Sequence, residues 1–538
     1  MSLYIWLVMA LLAMPTMGIT RSHTLKLENR VLNPDGHSRM AIVVNGQMPG
    51  PLISAKKHDT LDILVVNNLT DNTMARGTSI HWHGLFMHRS ASQDGSAWVT
   101  QCPIASGDSY RYRFNVGNQT GTYWYHSHVT SQYCDGLMGP FVIYDDNDPS
   151  AHLYDVDDES TVLTLNDWFH DPTPKAFQLV QAPQAMLVNG IGRPWFGGNN
   201  LTVSTVKQGT RYRYRVINAA CSSMAVFSID NHSLQVIEID GMAVKPYVAN
   251  FVTLHPGQRV SFVLHANQPV GNYWIRTRAS WEGVVVEYDD MAAILRYDGA
   301  ATEDPSTQKQ TKGISLPTEL GLVPLDAPAQ PPREPDIKIN LKFEMIDDRF
   351  FVNGHSYVSP SLPMLLQILN GTSPHLLMPS KNIITLPRNK LVEVSLPGGT
   401  YLSPHPWHLH GHSFQVVRSA NSSKYNYVNP PVRDVVSTGQ RGDNVTIRFM
   451  TDNPGPWFLH CHIEFHLVTG LAVVFAEAPE EQLPQEKYSK EWLDLCPKWE
   501  KFASSRGKTL SESMLEEAKH IGATSTIEPE KASRVVLD

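Results

Sequence analysis

The chain is short of charge, of cysteine and of helical patterning, and each shortage narrows what it can be. Charged residues make up only 18% of the 538 positions, and no block of lysine and arginine occurs, so a nucleic-acid or heparin surface is disfavoured. The 52 acidic residues outnumber the 44 basic ones, a formal charge of -8 that also speaks against a polyanionic partner. Cysteine is limited to Cys102, Cys134, Cys221, Cys461 and Cys496, without the C-x-x-C spacing of paired zinc ligands. In an oxidising compartment this odd count leaves one thiol over after two bridges, and Cys461, set between two histidines, is the candidate for another task. Long apolar runs are missing too. The longest, Leu3 to Met14, falls short of the roughly 20 residues that cross a bilayer. With the break and small residues near Gly18 it reads as a secretory signal peptide over residues 1–20, although it lacks a positive n-region; a membrane anchor is the alternative.

What is present is enough apolar material for several cores. Hydrophobic residues are 42% of a chain too long for one compact domain, so two to four domains are expected. Segments such as LDILVVNNL, YRYRFNV, TVLTLNDW, RYRYRVIN, LVEVSL and NVTIRFM are rich in β-branched and aromatic residues, and several alternate with period two. Clusters of Gly, Pro, Asn and Asp separate them. The pattern predicts an all-β, mainly antiparallel protein of sandwich or barrel domains. Composition divides it into residues 21–150, residues 151–300, a Pro-rich linker over 301–336, residues 337–496 and a tail over 497–538. No exact repeat is visible, yet FVIYDD and AVVFAE echo one another at the ends of the first and third blocks. In the tail, LSESMLEEAKHI spaces apolar residues at helical intervals and reads as one short surface helix, with partial disorder the alternative. Seven N-x-S/T sequons, at Asn68, Asn118, Asn200, Asn231, Asn370, Asn421 and Asn444, are glycosylation candidates for a secreted, extracellular chain.

The chemistry lies in the histidines. Four clusters recur: His81-Trp82-His83, His126-Ser127-His128, His405 with His408 and His410, and His460-Cys461-His462 with His466. Alternate residues of a strand share a face, so each H-x-H pair can present two imidazoles to one neighbourhood while the residue between points away. A lone histidine is more often a satisfied structural residue than a ligand, but pairs repeated four times make a metal site the better reading. Imidazole suits zinc, copper, iron and nickel, whereas a His₂Cys set with a weak axial position marks an electron-transfer copper.

In this order and spacing, HWHG, HSH, HPWHLHGH and HCHIEFHLVTGL resemble the copper-binding segments of the multicopper oxidases, most closely those of fungal laccases. VNGQMPGP, DGLMGPFVIYDD, TDNPGPWFLH and NYWIR extend the likeness from about residue 22 to 496. The resemblance implies three cupredoxin-like Greek-key β-barrel domains and four copper ions, one type 1, one type 2 and two type 3. It assigns His405, Cys461 and His466 to type 1, and His81 and His408 to type 2. One type 3 ion would take His83, His126 and His462, the other His128, His410 and His460. The other thirteen of the 23 histidines, His88 and His412 among them, are read as structural or surface residues. Leu471 matches the axial position of the type 1 copper, where leucine cannot coordinate and the potential should rise; it could equally be plain core filling. Asp94 and Glu464 match acidic residues near the cluster, which would serve the protons that dioxygen reduction consumes.

The same resemblance implies bridges Cys102–Cys496 and Cys134–Cys221, although sequence alone allows other pairings. It also places Ser222 where many fungal laccases carry an acid that holds the phenolic hydroxyl; serine can hydrogen-bond but cannot take the proton as a carboxylate would. The implied activity is one-electron oxidation of phenols and aryl amines docked beside an exposed His466, coupled to reduction of dioxygen to water by a monomer. The second block, lacking H-x-H, reads as a spacer that shapes the substrate cleft. A ferroxidase would need acids at the type 1 mouth, and neither Ser204 nor Ser222, in the regions to inspect, is acidic. Ascorbate oxidase fits less well, and a non-catalytic copper-binding protein is the alternative from another class.

Overall fold

A computed structural model gives the fold and describes residues 18–178, 182–193, 200–281, 284–285, 291–309, 313, 315, 321–326, 333–377, 379–399, 404–482 and 486–505. The apolar run of the signal-peptide reading and the tail segment LSESMLEEAKHI lie outside these residues. Among the described residues no helix is long and apolar enough to cross a membrane.

The expected period-two segments are strands. Ser109–Asn115 alternates exposed and buried residues along its length, turning Tyr110, Tyr112 and Phe114 inward, and Thr60–Asn67 alternates likewise. Gly121–Ser127 and Gly455–Cys461, which carry metal-site histidines, are buried throughout, because both faces are covered: Tyr125 and Leu459 turn into the main core, while Trp124 packs with Ile217 and Cys221, and Phe458 with Val99, of a neighbouring domain.

Three domains each stack two sheets. The first holds a four-stranded sheet through Thr20–Leu32 and a second through Met138–Tyr144; the second domain holds two six-stranded sheets; the third holds two five-stranded ones and a hairpin. Pairing is mainly antiparallel, with two parallel pairs in every domain. In the first, Thr20–Leu32 runs with Thr60–Asn67 and Ile53–Lys56 with Met138–Tyr144. Val162–Trp168 with Arg211–Asn218, and Thr202–Val206 with Met291–Tyr297, repeat this in the second domain. Ile337–Asn340 with Leu391–Pro397, and Ile383–Leu386 with Ala472–Glu477, repeat it in the third. The FVIYDD and AVVFAE echo therefore falls on topologically equivalent strands, Met138–Tyr144 and Ala472–Glu477.

The cores are unequally shared. One apolar cluster runs without a break from the first domain into the third, taking in Trp82, Trp407, Trp457 and Cys461, whereas the second domain keeps a separate core around Tyr214, Phe227 and Phe262. The chain end strengthens the first union. The helix Leu495–Ser505 buries Trp499 against Trp98, and Cys102 is bonded to Cys496 across a separation of 394 residues.

Candidate metal centre

Strand register assembles the histidines. His81 lies opposite His126 in the pair Ile80–His83 and Gly121–Ser127, and His408 lies opposite His460 in the pair Pro406–Leu409 and Gly455–Cys461. The two strand pairs, one from the first domain and one from the third, with the residues that directly follow them, bring eight imidazoles into a single buried group. His81 Nε2 is 3.4 Å from His408 Nε2, His410 Nε2 is 3.1 Å from His460 Nε2, and His83 Nδ1 is 3.2 Å from His462 Nε2. His128 joins His410 and His460, and the rings of His83, His126 and His462 lie within 5.7 Å of one another.

These imidazoles are oriented as ligands need to be. Nδ1 of His81 faces the Asp94 carbonyl at 2.8 Å, that of His126 the Ser127 carbonyl at 2.8 Å, and that of His460 the Cys461 carbonyl at 2.9 Å. His408 does the same to the Asp434 carbonyl at 2.9 Å, and His410 to Asp94 Oδ2 at 3.0 Å. An Nδ1–H donated outward fixes the tautomer and leaves the Nε2 lone pair turned inward. His83 is reversed, with Nδ1 inward and Nε2 3.4 Å from Asp434 Oδ1. Burial, with the neighbouring imidazoles adding to it, holds His83, His126, His128, His408, His410 and His460 well below the usual histidine pKa, and lowers His462 to about 3. Crowded, and with Nε2 of His126 and His128 lacking a hydrogen-bond partner, the set fits metal ions.

A separate trio stands on the other face of the same strand. Cys461 Sγ is 3.7 Å from His405 Nδ1 and 3.5 Å from His466 Nδ1, which are 3.1 Å apart. One thiol and two imidazoles are the donor set of an electron-transfer copper. Cys461 is the last residue of Gly455–Cys461, and its neighbours His460 and His462 belong to the eight-histidine group, so the two centres share one stretch of backbone. Leu471 is fully buried beside the trio, its carbonyl accepting from Cys461 N at 3.1 Å. His466 is not exposed as expected. The helix Glu464–Val468 tucks it under Phe350, with ring centroids 4.6 Å apart, and only 3% of its surface remains open.

Asp94 and Glu464 have unlike settings. Asp94 brackets His81 and His410 with its carbonyl and carboxylate and accepts from Ser96. Glu464 is wholly buried, and burial pushes its carboxyl well above the ordinary range. Its backbone N–H donates to the Cys221 carbonyl at 2.8 Å. His412, read as structural, pairs with buried Glu477 at 2.8 Å. The implied Cys134–Cys221 bridge is not formed in the structure: the two are buried thiols within hydrogen-bonding reach of one another, in an apolar cluster with Trp124, Tyr133 and Phe169.

Sequence reasoning missed the second domain's part, which goes beyond that of a spacer. Arg259 donates to both oxygens of Asp434 in the third domain, at 2.6 and 2.7 Å, and to the Thr122 carbonyl in the first, at 3.0 Å. Burial raises the Asp434 carboxyl against this pull. Gly257 has φ +85°, and a Cβ there would meet His462 at 2.8 Å and His83 at 3.0 Å, so the loop's bare backbone packs on the cluster. No motif marks Asp434, Arg259 or Gly257, since they meet only through folding.

A cavity of about 240 Å³ opens beside the Cys461 trio. Pro404, next to His405, and Ile463, between Cys461 and His466, form part of its wall, and Ser222, His255 and Arg278 come from the second domain. Ser222 donates through its hydroxyl to Asp167 Oδ2 at 2.7 Å. Ser204 does not reach the cavity; it is buried against the Tyr214 hydroxyl at 2.6 Å.

Three multicopper oxidase family descriptions match the chain, over residues 26–148, 159–300 and 357–481. The chain belongs to the multicopper oxidases, among the laccases. This oxidase is 47% identical over 503 residues to a laccase of Pycnoporus cinnabarinus, covering 92% of this chain and 97% of that one. With a laccase of Phlebia radiata it shares 48% over 481 residues, 87% and 92% of the two chains. Its fold matches the laccase structure from Botrytis aclada with TM-score 0.80, 32% identity and 92% and 95% coverage. It also matches Fet3p, a multicopper oxidase that functions in iron import, with TM-score 0.78, 28% identity and 96% and 100% coverage. Copper is therefore the metal for which this oxidase's imidazoles and thiol are arranged, and the three domains are cupredoxin-like.

Proposed function

We propose that the protein is a secreted, monomeric laccase that oxidises phenols and aryl amines one electron at a time and reduces dioxygen to two waters. The observation that carries this is the shared backbone of Cys461 and its neighbours His460 and His462, which links the site beside the cavity to the buried eight-histidine group. When bound, one type 1 copper would accept single electrons and a cluster of one type 2 and two type 3 coppers would deliver four of them to dioxygen.

His405, Cys461 and His466 would hold the first ion. His81 and His408 are the type 2 ligands in this reading, with His83, His126 and His462, and His128, His410 and His460, around the type 3 pair. The chain's own residues prepare the rest. The covalent path from Cys461 to its neighbouring histidines is on the order of 10 Å, short enough for rapid transfer. Asp94 orients His81 and His410, and Glu464, whose carboxyl burial shifts towards the protonated form, would be a proton donor near His462. Leu471, buried beside the trio, offers no donor atom to an ion held there, which would raise that ion's potential. The domain limits at residues 150, 300, 336 and 496 follow the same reading.

A ferroxidase is the second reading, favoured by the likeness to Fet3p. It requires carboxylates at the cavity, and among the described residues lining it there are none. The test is kcat/KM for a dimethoxyphenol and for Fe²⁺ on one copper-assayed sample. Preference for the phenol is expected, and a strong preference for iron would replace this proposal by the ferroxidase reading.

A further inference from the structure

The cavity beside the Cys461 trio carries a cation that the oxidation of a neutral phenol does not require. Strands Met224–Ile229 and Asn272–Trp281 are antiparallel, with Met224 opposite Ser280 and Val226 opposite Arg278. Directly opposed side chains share a face, so all four line the same wall. Arg276, two residues earlier, is buried and bound to both oxygens of Asp230 at 2.8 and 2.7 Å. Arg278 is exposed, and among the described residues no carboxylate pairs with it or lines the cavity.

The other polar groups sharpen the picture. Burial, then the charge of Arg433, lowers His255 to about 4, so that imidazole is neutral above about pH 5 and Arg278 is the full charge among the described lining residues. Ser222 spends its hydroxyl proton on Asp167, which leaves oxygen lone pairs free to accept from a phenolic O–H. The wall thus offers an acceptor for a hydroxyl and, separately, a guanidinium whose planar fork matches a carboxylate or sulfonate.

We propose that the cavity selects phenols bearing a second, anionic group, with Arg278 binding the carboxylate or sulfonate while the phenolic hydroxyl donates to Ser222. The proposal rests on the laccase reading and adds a substrate class to it. Arg278 is a specificity residue here. It binds the arm of the substrate and takes no part in electron transfer. Its contribution is that of an exposed ion pair, roughly three- to fivefold in kcat/KM.

The copper-loaded enzyme is assayed with 4-hydroxy-3-methoxycinnamate and its methyl ester at about pH 6, where the acid is ionised. The readout is the acid-to-ester ratio of kcat/KM, with the thiolate-to-copper absorption confirming each variant's fold. Arg278→Met is expected to lower that ratio roughly three- to fivefold, Arg278→Glu to lower it further, and Arg278→Lys to keep most of it. Added salt should lower the wild-type ratio towards the Arg278→Met value. A ratio unmoved in Arg278→Met, with the ester still oxidised, overturns the role of Arg278 and leaves the laccase reading standing. Oxidation of neither compound by fully loaded enzyme overturns both.

Discussion

The two histidine groups share a strand yet depend on the fold in opposite ways. The Cys461 trio comes wholly from the third domain, its ligand atoms held by one strand, one short helix and the loop before Pro406–Leu409. The eight-imidazole group is split between two domains and clamped by a third, through Arg259 and the bare backbone of Gly257. A site inside one domain survives small movements between domains. One built across an interface is only as well ordered as that interface, which explains why the first and third domains share a continuous core and a disulfide-tethered chain end.

Separate damage to the two groups tests that contrast. The largest effect is expected from Cys461→Ser: phenol oxidation falls by about three orders of magnitude or more and the intense thiolate-to-copper absorption vanishes, while copper in the eight-histidine group persists. Retained turnover would mean that electrons enter elsewhere.

Next comes Arg259→Met, which strands the buried Asp434 carboxylate and should cost about 3–5 kcal/mol in denaturant unfolding. The absorption of the Cys461 site is expected to survive in the folded fraction while cluster copper falls; equal loss from both sites would erase the distinction drawn above. Gly257→Ala is milder. Its left-handed backbone and the approach to His462 and His83 predict a loss of about 1–2 kcal/mol and a shift in the paramagnetic resonance of the cluster, with the thiolate band unchanged.

The smallest effect concerns acid. His255 has a folded pKa of about 4 against an ordinary 6.5. Above 6.5 neither state is protonated there, and between 6.5 and 4 the unfolded chain binds the proton that the folded one refuses. Stability therefore falls as pH drops through that window. His255→Gln is expected to remove about 1–2 kcal/mol of that fall, as read from unfolding midpoints at pH 7 and pH 4.5. The same slope in wild type and variant would place the acid sensitivity elsewhere.

Much of this was legible beforehand because it is local. Alternation within single segments announced the strands, and the H-x-H spacing of His81 and His83 or His460 and His462 announced imidazoles on one face, with Cys461 turned to the other. What escaped was whatever depends on two distant segments meeting. His466 sits in a motif that says nothing of Phe350, which covers it. Ser204 and Ser222 looked alike as serines in the second domain, but only Ser222 reaches the cavity.

The order of residues alone decided the donor atoms: which positions carry imidazole or thiol, and which neighbours share a strand face, since side-chain direction alternates along any extended chain. The packing of three barrels decided the rest. It chose which Nδ1–H groups find an oxygen and so which lone pairs turn inward, and it brought Arg259 to Asp434 and Arg278 to the cavity wall. Those outcomes depend on contacts between residues far apart in the chain, and only burial in a common core brings such residues within bonding distance.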